Sequence, residues 1–143
     1  SIMDLMPKAR GFTLIELLIT ISIIGILSAI GLVTYSTVMK QGRDAKRQSD
    51  LRTIQSALEQ YYADQLAYPT GIPTAGTPLK SPDNARTYLN QIPSDPSPSN
   101  NYCYFYDQVN KSYELCAKLE VVPNPSQSCS SSCSGYNFKV TPP

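Results

Sequence analysis

Three residues near the N-terminus have the types and spacing to do chemistry: Gly11, Phe12 and Glu16. They lie in Lys8-Ala9-Arg10-Gly11-Phe12-Thr13-Leu14-Ile15-Glu16, and residues 17–39 carry no charge. Hydrolysis after Gly11 would leave a positive amine on Phe12, about one helical turn from the Glu16 carboxylate. The amine of one copy and the carboxylate of its neighbour could then neutralise each other among apolar helices, where an unmatched charge is costly. An acid deep in a bilayer costs about 2.5–3.5 kcal/mol on insertion scales and by default marks a functional site. The plainer reading is that Glu16 sits near the headgroups, favoured there by the positive end of a helix.

The uncharged run is long enough to cross a bilayer core, which takes roughly 20 apolar residues. A secretory signal is cut after its apolar core, whereas the candidate junction here precedes it, so this helix is expected to stay in the mature protein. Lys8 and Arg10 mark the cytoplasmic side, and the remainder faces outward. Within the run, Gly25 and Ala29 form a small-residue pair four apart that lets helix backbones approach. Beyond it, Leu51, Ile54, Leu58 and Tyr61 recur at helical spacing, broadened by Ala57 and Tyr62. No proline interrupts residues 12–68, so one continuous helix is expected, half anchor and half support for a head. Lys40, Arg43, Lys46, Arg47 and Arg52, offset by Asp44 and Asp50, read as a solvated face beside anionic lipid. A nucleic-acid stripe is the alternative, and a net charge of +1 gives it no global support.

Tyr68-Pro69 should end the helix, because proline disfavours helical geometry in the residue before it. Residues 69–101 are rich in Pro, Ser, Thr and Asn and read as a connector. Within it, Ser81-Pro82-Asp83 looks like the start of a short helix through Tyr88 and Leu89. Asp95 and Asp107 have loop surroundings and read as solvated. Two strand-like runs follow, residues 102–106 and 113–119. A hairpin centred on Val109 and Asn110 sets Cys103 opposite Cys116 and Tyr106 opposite Tyr113. It also puts Tyr104, Tyr106, Tyr113, Leu115, Ala117 and Leu119 on one face. Residues 136–140 supply a third strand.

Cys103, Cys116, Cys129 and Cys133 all fall in the outward part, which favours disulfides. Sequence leaves three complete pairings open. The preferred one joins Cys103 to Cys116 from hairpin register and Cys129 to Cys133 across a short loop. Zinc is disfavoured, since Cys-x-x-Cys knuckles are missing and there are 0 histidines. The same lack of histidine, with no phosphate-binding glycine loop, argues against an enzyme, and no cofactor is implied. Alternating tyrosines on a sheet read as half-buried packing with a wet hydroxyl rather than as a ligand platform. A head this small has a marginal core, so crosslinks and the helix are expected to support it.

The run Arg10-Gly11-Phe12-Thr13-Leu14-Ile15-Glu16-Leu17-Leu18 resembles the class III signal of type IV pilins and of the pseudopilins of type II secretion systems. The resemblance implies a prepilin peptidase that cuts after Gly11 and methylates Phe12, with Glu16 used in assembly. It implies an α+β pilin fold: one long helix over about residues 12–66, its second half packed on an antiparallel sheet of about three strands. The division expected is a leader (1–11), an anchor and assembly half-helix (12–39) and a head (40–143) with its connecting loop (69–101). A glycine that often precedes the Tyr-Pro is replaced here by the run Gln65-Leu66-Ala67. The implied partners are copies of the chain, the peptidase, an inner-membrane assembly platform and the membrane itself. The expected path runs from a bacterial inner-membrane precursor to an extracellular surface filament serving adhesion, motility or DNA uptake. Major pseudopilins often show an acidic calcium-binding loop late in the chain, and no Asp or Glu follows Glu120. That difference puts the pilus subunit ahead of the secretion pseudopilin. A membrane-anchored monomeric receptor is a third reading, and it leaves the Gly11-Phe12 junction unexplained.

Overall fold

The computed structural model describes residues 10–143. The expected leader therefore falls mostly outside the described residues, Lys8 included. A single long helix, α1 (Leu14–Gln65), is followed by five strands: β1 (Leu79–Lys80), β2 (Thr87–Leu89), β3 (Cys103–Asp107), β4 (Ser112–Ala117) and β5 (Phe138–Val140). Residue proximity divides the chain between Val38 and Met39. Residues up to Val38 are apolar helix whose Leu, Ile and Val side chains are exposed. The second unit holds the rest of α1 and all the strands.

Both ends of α1 are set by local chemistry. Thr13 accepts from the Glu16 backbone N–H at 3.3 Å, and Glu16 accepts from the Thr13 backbone N–H at 2.8 Å. This reciprocal capping box starts the helix at Leu14 rather than at residue 12. At the other end Leu66 takes φ 57°, a left-handed conformation that costs a branched residue more than glycine. Its N–H still donates to the Tyr62 carbonyl at 2.8 Å. The helix runs unbroken through Gly25 and Gly31.

In the second unit, β3, β4 and β5 form an antiparallel sheet in that order. Cys103 pairs with Cys116, and Tyr106 with Tyr113, the register that the hairpin pattern implies. Leu51, Ile54, Ala57, Leu58 and Tyr61 of α1 meet Tyr113, Leu115 and Ala117 of β4 in one apolar core. Tyr62 departs from the expected stripe: it is exposed and stacks on Tyr68, ring centroids 4.6 Å apart.

The connector differs from expectation. No helix forms after Ser81; β1 and β2 pair antiparallel instead. Ser81 Oγ accepts from the Arg86 backbone N–H at 3.0 Å, and Asn84 adopts φ 59°. Ser-Pro-Asp serves turns as well as helix starts, and an Asp83 side chain that accepts from the Ala85 N–H commits it to a turn. Tyr88 is nonetheless buried, its ring 5.2 Å from that of Tyr61.

Candidate functional site

At the N-terminal end the described geometry ties Glu16 to Thr13. Glu16 Oε2 accepts from the Thr13 backbone N–H at 2.8 Å and from Thr13 Oγ1 at 2.7 Å. The sequence signal for this was the T-x-x-E spacing, which the reading of Glu16 as a lone acid passed over. A carboxylate with two donors on its own chain is less costly to hold near hydrocarbon than a bare one. Phe12 precedes Thr13, so an amine created there would stand beside a carboxylate already oriented by its neighbour. Among the described residues, α1 is the one helix long and apolar enough to cross a membrane. Gly25 has open space around its missing Cβ, and Ala29 lies one turn further along an exposed stretch.

The basic cluster beyond the anchor is only in part the solvated face expected of it: Lys40, Lys46 and Arg52 are exposed, whereas Arg47 is not. Arg47 is fully buried, and all five of its N–H donors are used. Nε and Nη2 grip Asp95 at 2.8 and 2.9 Å, and Nη2 also donates to Ser97 at 2.9 Å. Nη1 reaches Asp44 at 2.7 Å and Glu120 at 3.1 Å. Asp95, read from sequence as solvated, is a buried partner 48 residues away. Asp44 in turn accepts the backbone N–H groups of Glu120 and Val121 at 2.9 and 2.8 Å. Arg43 closes on Glu120 through two 2.6 Å bonds. Lys46 donates to Asp50, which also accepts from the Tyr102 hydroxyl at 2.6 Å. This cluster fastens the foot of the head: α1, the connector and the loop after β4 meet at one guanidinium. It leaves Lys40 and Arg52 as the cations of the group without an ion pair among the described residues.

The electrostatics follow from these contacts. Arg43, then Arg47, hold the Glu120 carboxyl down at about 2, against an ordinary 4.5. Asp95 and the other acids hold the Arg47 charge against the desolvation that opposes it. Burial, then the Glu59 carboxylate, push the Tyr68 hydroxyl up to about 12. Tyr68 and Tyr113 both donate to Glu59, at 3.1 Å each, and Tyr104 donates to the Pro69 carbonyl at 2.6 Å. Tyr104 and Tyr113 are packing, as the alternation implied, but their hydroxyls, like that of Tyr68, are bonded inside the protein rather than wet.

The disulfides correct the expected pairing: Cys103 bonds Cys133, and Cys116 bonds Cys129. Cys103 and Cys116 face each other across the hairpin on the side away from α1. Residues 129–133 lie over that side, so each strand cysteine bonds to the covering segment rather than to its opposite number. Ser130 N–H donates to Glu114 at 2.8 Å, and Asn137 bridges both backbone groups of Leu119 at 2.7 and 3.0 Å. This segment does not fit the acidic calcium loop. It carries no carboxylate, and among the described residues no group of three or more potential metal-ligating side chains occurs.

Comparison with known proteins decides what these features belong to. Residues 6–32 match the prokaryotic N-terminal methylation motif, and residues 35–118, more than half of the chain, match type II secretion system protein G. The chain belongs to the type II secretion system protein G family. Its relatives include the type II secretion system core protein G of Escherichia coli, 30% identical over 116 residues, which cover 76% of this chain and 79% of that protein. The core protein G of Pseudomonas aeruginosa is 32% identical over 117 residues, 76% and 81% of the two chains. The type IV major pilin protein PilA of Myxococcus xanthus is 32% identical over 62 residues, only 43% of this chain and 28% of that protein. No solved structure is a significant match. The ranking drawn from the missing acidic loop is thus reversed: the pseudopilin family is favoured over the pilus. Protein G family members are structural, membrane-anchored filament subunits and not enzymes.

Proposed function

We propose that this chain is a pseudopilin of a type II secretion system, a subunit of a short filament that drives folded proteins outward. The observation that carries the reading is the family match over residues 35–118, which extends into the head as far as β4 and so does not rest on the N-terminal signal that pilins share. In the mechanism, cleavage after Gly11 frees the Phe12 amine, which is then methylated. Glu16, oriented by Thr13, pairs with the amine of a neighbouring subunit as the apolar helices leave lipid for one another. Lipid tails are as apolar as the helices, so close packing at Gly25 and Ala29 and the charge pair supply the gain. The filament grows from the inner membrane into the periplasm, assembled by an inner-membrane platform.

The pilus reading retains one observation in its favour, the absence of Asp and Glu after Glu120. Deleting the gene in its own host separates the two. Folded exoproteins trapped in the periplasm support the secretion role. Normal secretion with loss of surface fibres overturns it in favour of the pilus.

A further inference from the structure

We infer that the loop after β4, residues 120–123, is a lipid-contacting foot that seats the head on the outer leaflet while the subunit waits in the membrane. Val121 and Val122 are adjacent, exposed by 44% and 65%, and apolar. Adjacent valines are more often buried, yet here the loop is tied to α1 through its backbone, the Glu120 and Val121 N–H groups donating to the Asp44 carboxylate, and the two side chains stay exposed. With Pro123 the valines line a shallow groove of about 290 Å³ against Gln41, Ala45 and Gln48 of α1.

The position along the helix names the occupant. Met39 ends the uncharged run, and Asp44, the anchor of the loop, lies five residues on, about 7.5 Å at 1.5 Å per residue. Gln41, on the groove wall, is only about 3 Å beyond Met39 by the same measure. The headgroup layer on one side of a bilayer is about 5–7 Å thick. Apolar groups of interfacial segments enter about 5–10 Å into the headgroup and acyl boundary. A valine pair beside Gln41 is therefore within the depth at which apolar side chains of interfacial segments meet lipid. The charges agree. Lys40 is exposed at headgroup level, while Glu120 and Asp44, the acids nearest the valines, are neutralised by Arg43 and Arg47. An uncompensated acid there would repel an anionic surface; these acids are spent inside the protein. The contact rests on insertion of residues 17–39 and not on which machine the filament serves.

The chain contains 0 tryptophans, which supplies the test. Val122→Trp and, separately, Val121→Trp place one indole in the foot of the full-length chain, and Val109→Trp places one at the hairpin tip, where Val109 is 90% exposed. Each is reconstituted into vesicles of phosphatidylethanolamine and phosphatidylglycerol, with and without lipids brominated near the top of the acyl chain. Flotation with the vesicles reports insertion independently of the emission. The expected result is a blue shift and loss of emission on bromination at the foot in at least one of the two valine positions, and neither change at the hairpin tip. Emission at the foot as red and unquenched as at the tip overturns the inference. So does equal quenching at both places, which means a head lying nonspecifically on lipid. A blue shift without bromine quenching that fades as unlabelled lipid dilutes the protein assigns the foot to a second copy and overturns the lipid contact. Failure to float refutes the anchor, and the foot with it.

Discussion

Replacing Arg47 by Met removes the guanidinium at which α1, the connector and the loop after β4 meet, while keeping an unbranched apolar stem that ends near the position of Nε. The cost can be apportioned from the contacts. Glu120 keeps Arg43, and Asp44 keeps the two backbone N–H donors of residues 120 and 121. Asp95 loses both of its guanidinium bonds in a site where its side chain is 1% exposed, and retains the Ser97 N–H at 2.7 Å. Breaking a buried ion pair from one side destabilises by about 3–5 kcal/mol, because the remaining charge stays desolvated. Partial satisfaction of Asp95 and Asp44 sets the expectation at the lower end, about 3 kcal/mol. That is a large part of the total stability of about 5–15 kcal/mol typical of a domain. The assay is urea unfolding of the full chain in a non-denaturing detergent, followed by the near-ultraviolet dichroism of the tyrosines. Arg47→Met with Asp95→Leu should recover most of the loss, since it removes both charges together. A single mutant within about 1 kcal/mol of the parent, the ordinary range of a surface pair, would refute the reasoning.

Acid should loosen the same foot. The Glu120 carboxyl is held at about 2 against 4.5, so its ion pairs stabilise fully above pH 4.5 and are lost as the pH falls from 4.5 towards 2. Glu120→Gln should flatten the stability profile in that window, and an unchanged acid limb would count against the pairing. Reduction, not chelation, should unlock the covering segment. Cys129→Ser opens a crosslink of sequence separation 13 and is expected to cost about 3 kcal/mol on loop entropy. Unfolding curves should not move with a calcium chelator, and a shift on chelation would reinstate a metal. Finally, Thr13→Val removes the hydroxyl that caps α1 and orients Glu16, with an expected cost of about 1 kcal/mol to the helix start and slower assembly. Crosslinking yields of assembled subunits equal to the parent's would show that Thr13 does not position Glu16.

Much of the head was legible in the sequence because its signals are local. Alternation in residues 102–106 and 113–119, with a hairpin centred on Val109 and Asn110, implies the register that β3 and β4 adopt. Helical spacing from Leu51 to Tyr61 names the face that meets the sheet. What stayed hidden depends on where distant segments cross. Asp44 and Arg47 look like a surface pair at i and i+3 until Asp95 and Glu120 arrive from 48 and 73 residues away. Likewise, hairpin register placed two cysteines opposite each other correctly, but nothing local says that residues 129–133 lie over them and take both. Ser81-Pro82-Asp83 is ambiguous because the same side-chain acceptors serve both a helix cap and a turn. At the N-terminus, the apolar run is plain, and α1 carries it. The capping partnership of Thr13 and Glu16 was overlooked although its spacing was visible. The choice between pilus and secretion turned on a single missing loop, too small a part of the head to outweigh the rest of its sequence.

The most direct measurement is the fraction of a folded exoprotein released into the medium by a deletion strain of the native host, carrying either the parent chain or Glu16→Ala at matched levels in the membrane. The account predicts that the parent restores release and that Glu16→Ala, inserted and cleaved after Gly11, does not. Release restored equally by both would contradict a filament assembled through Glu16, and release unaffected by the deletion itself would contradict the secretion role.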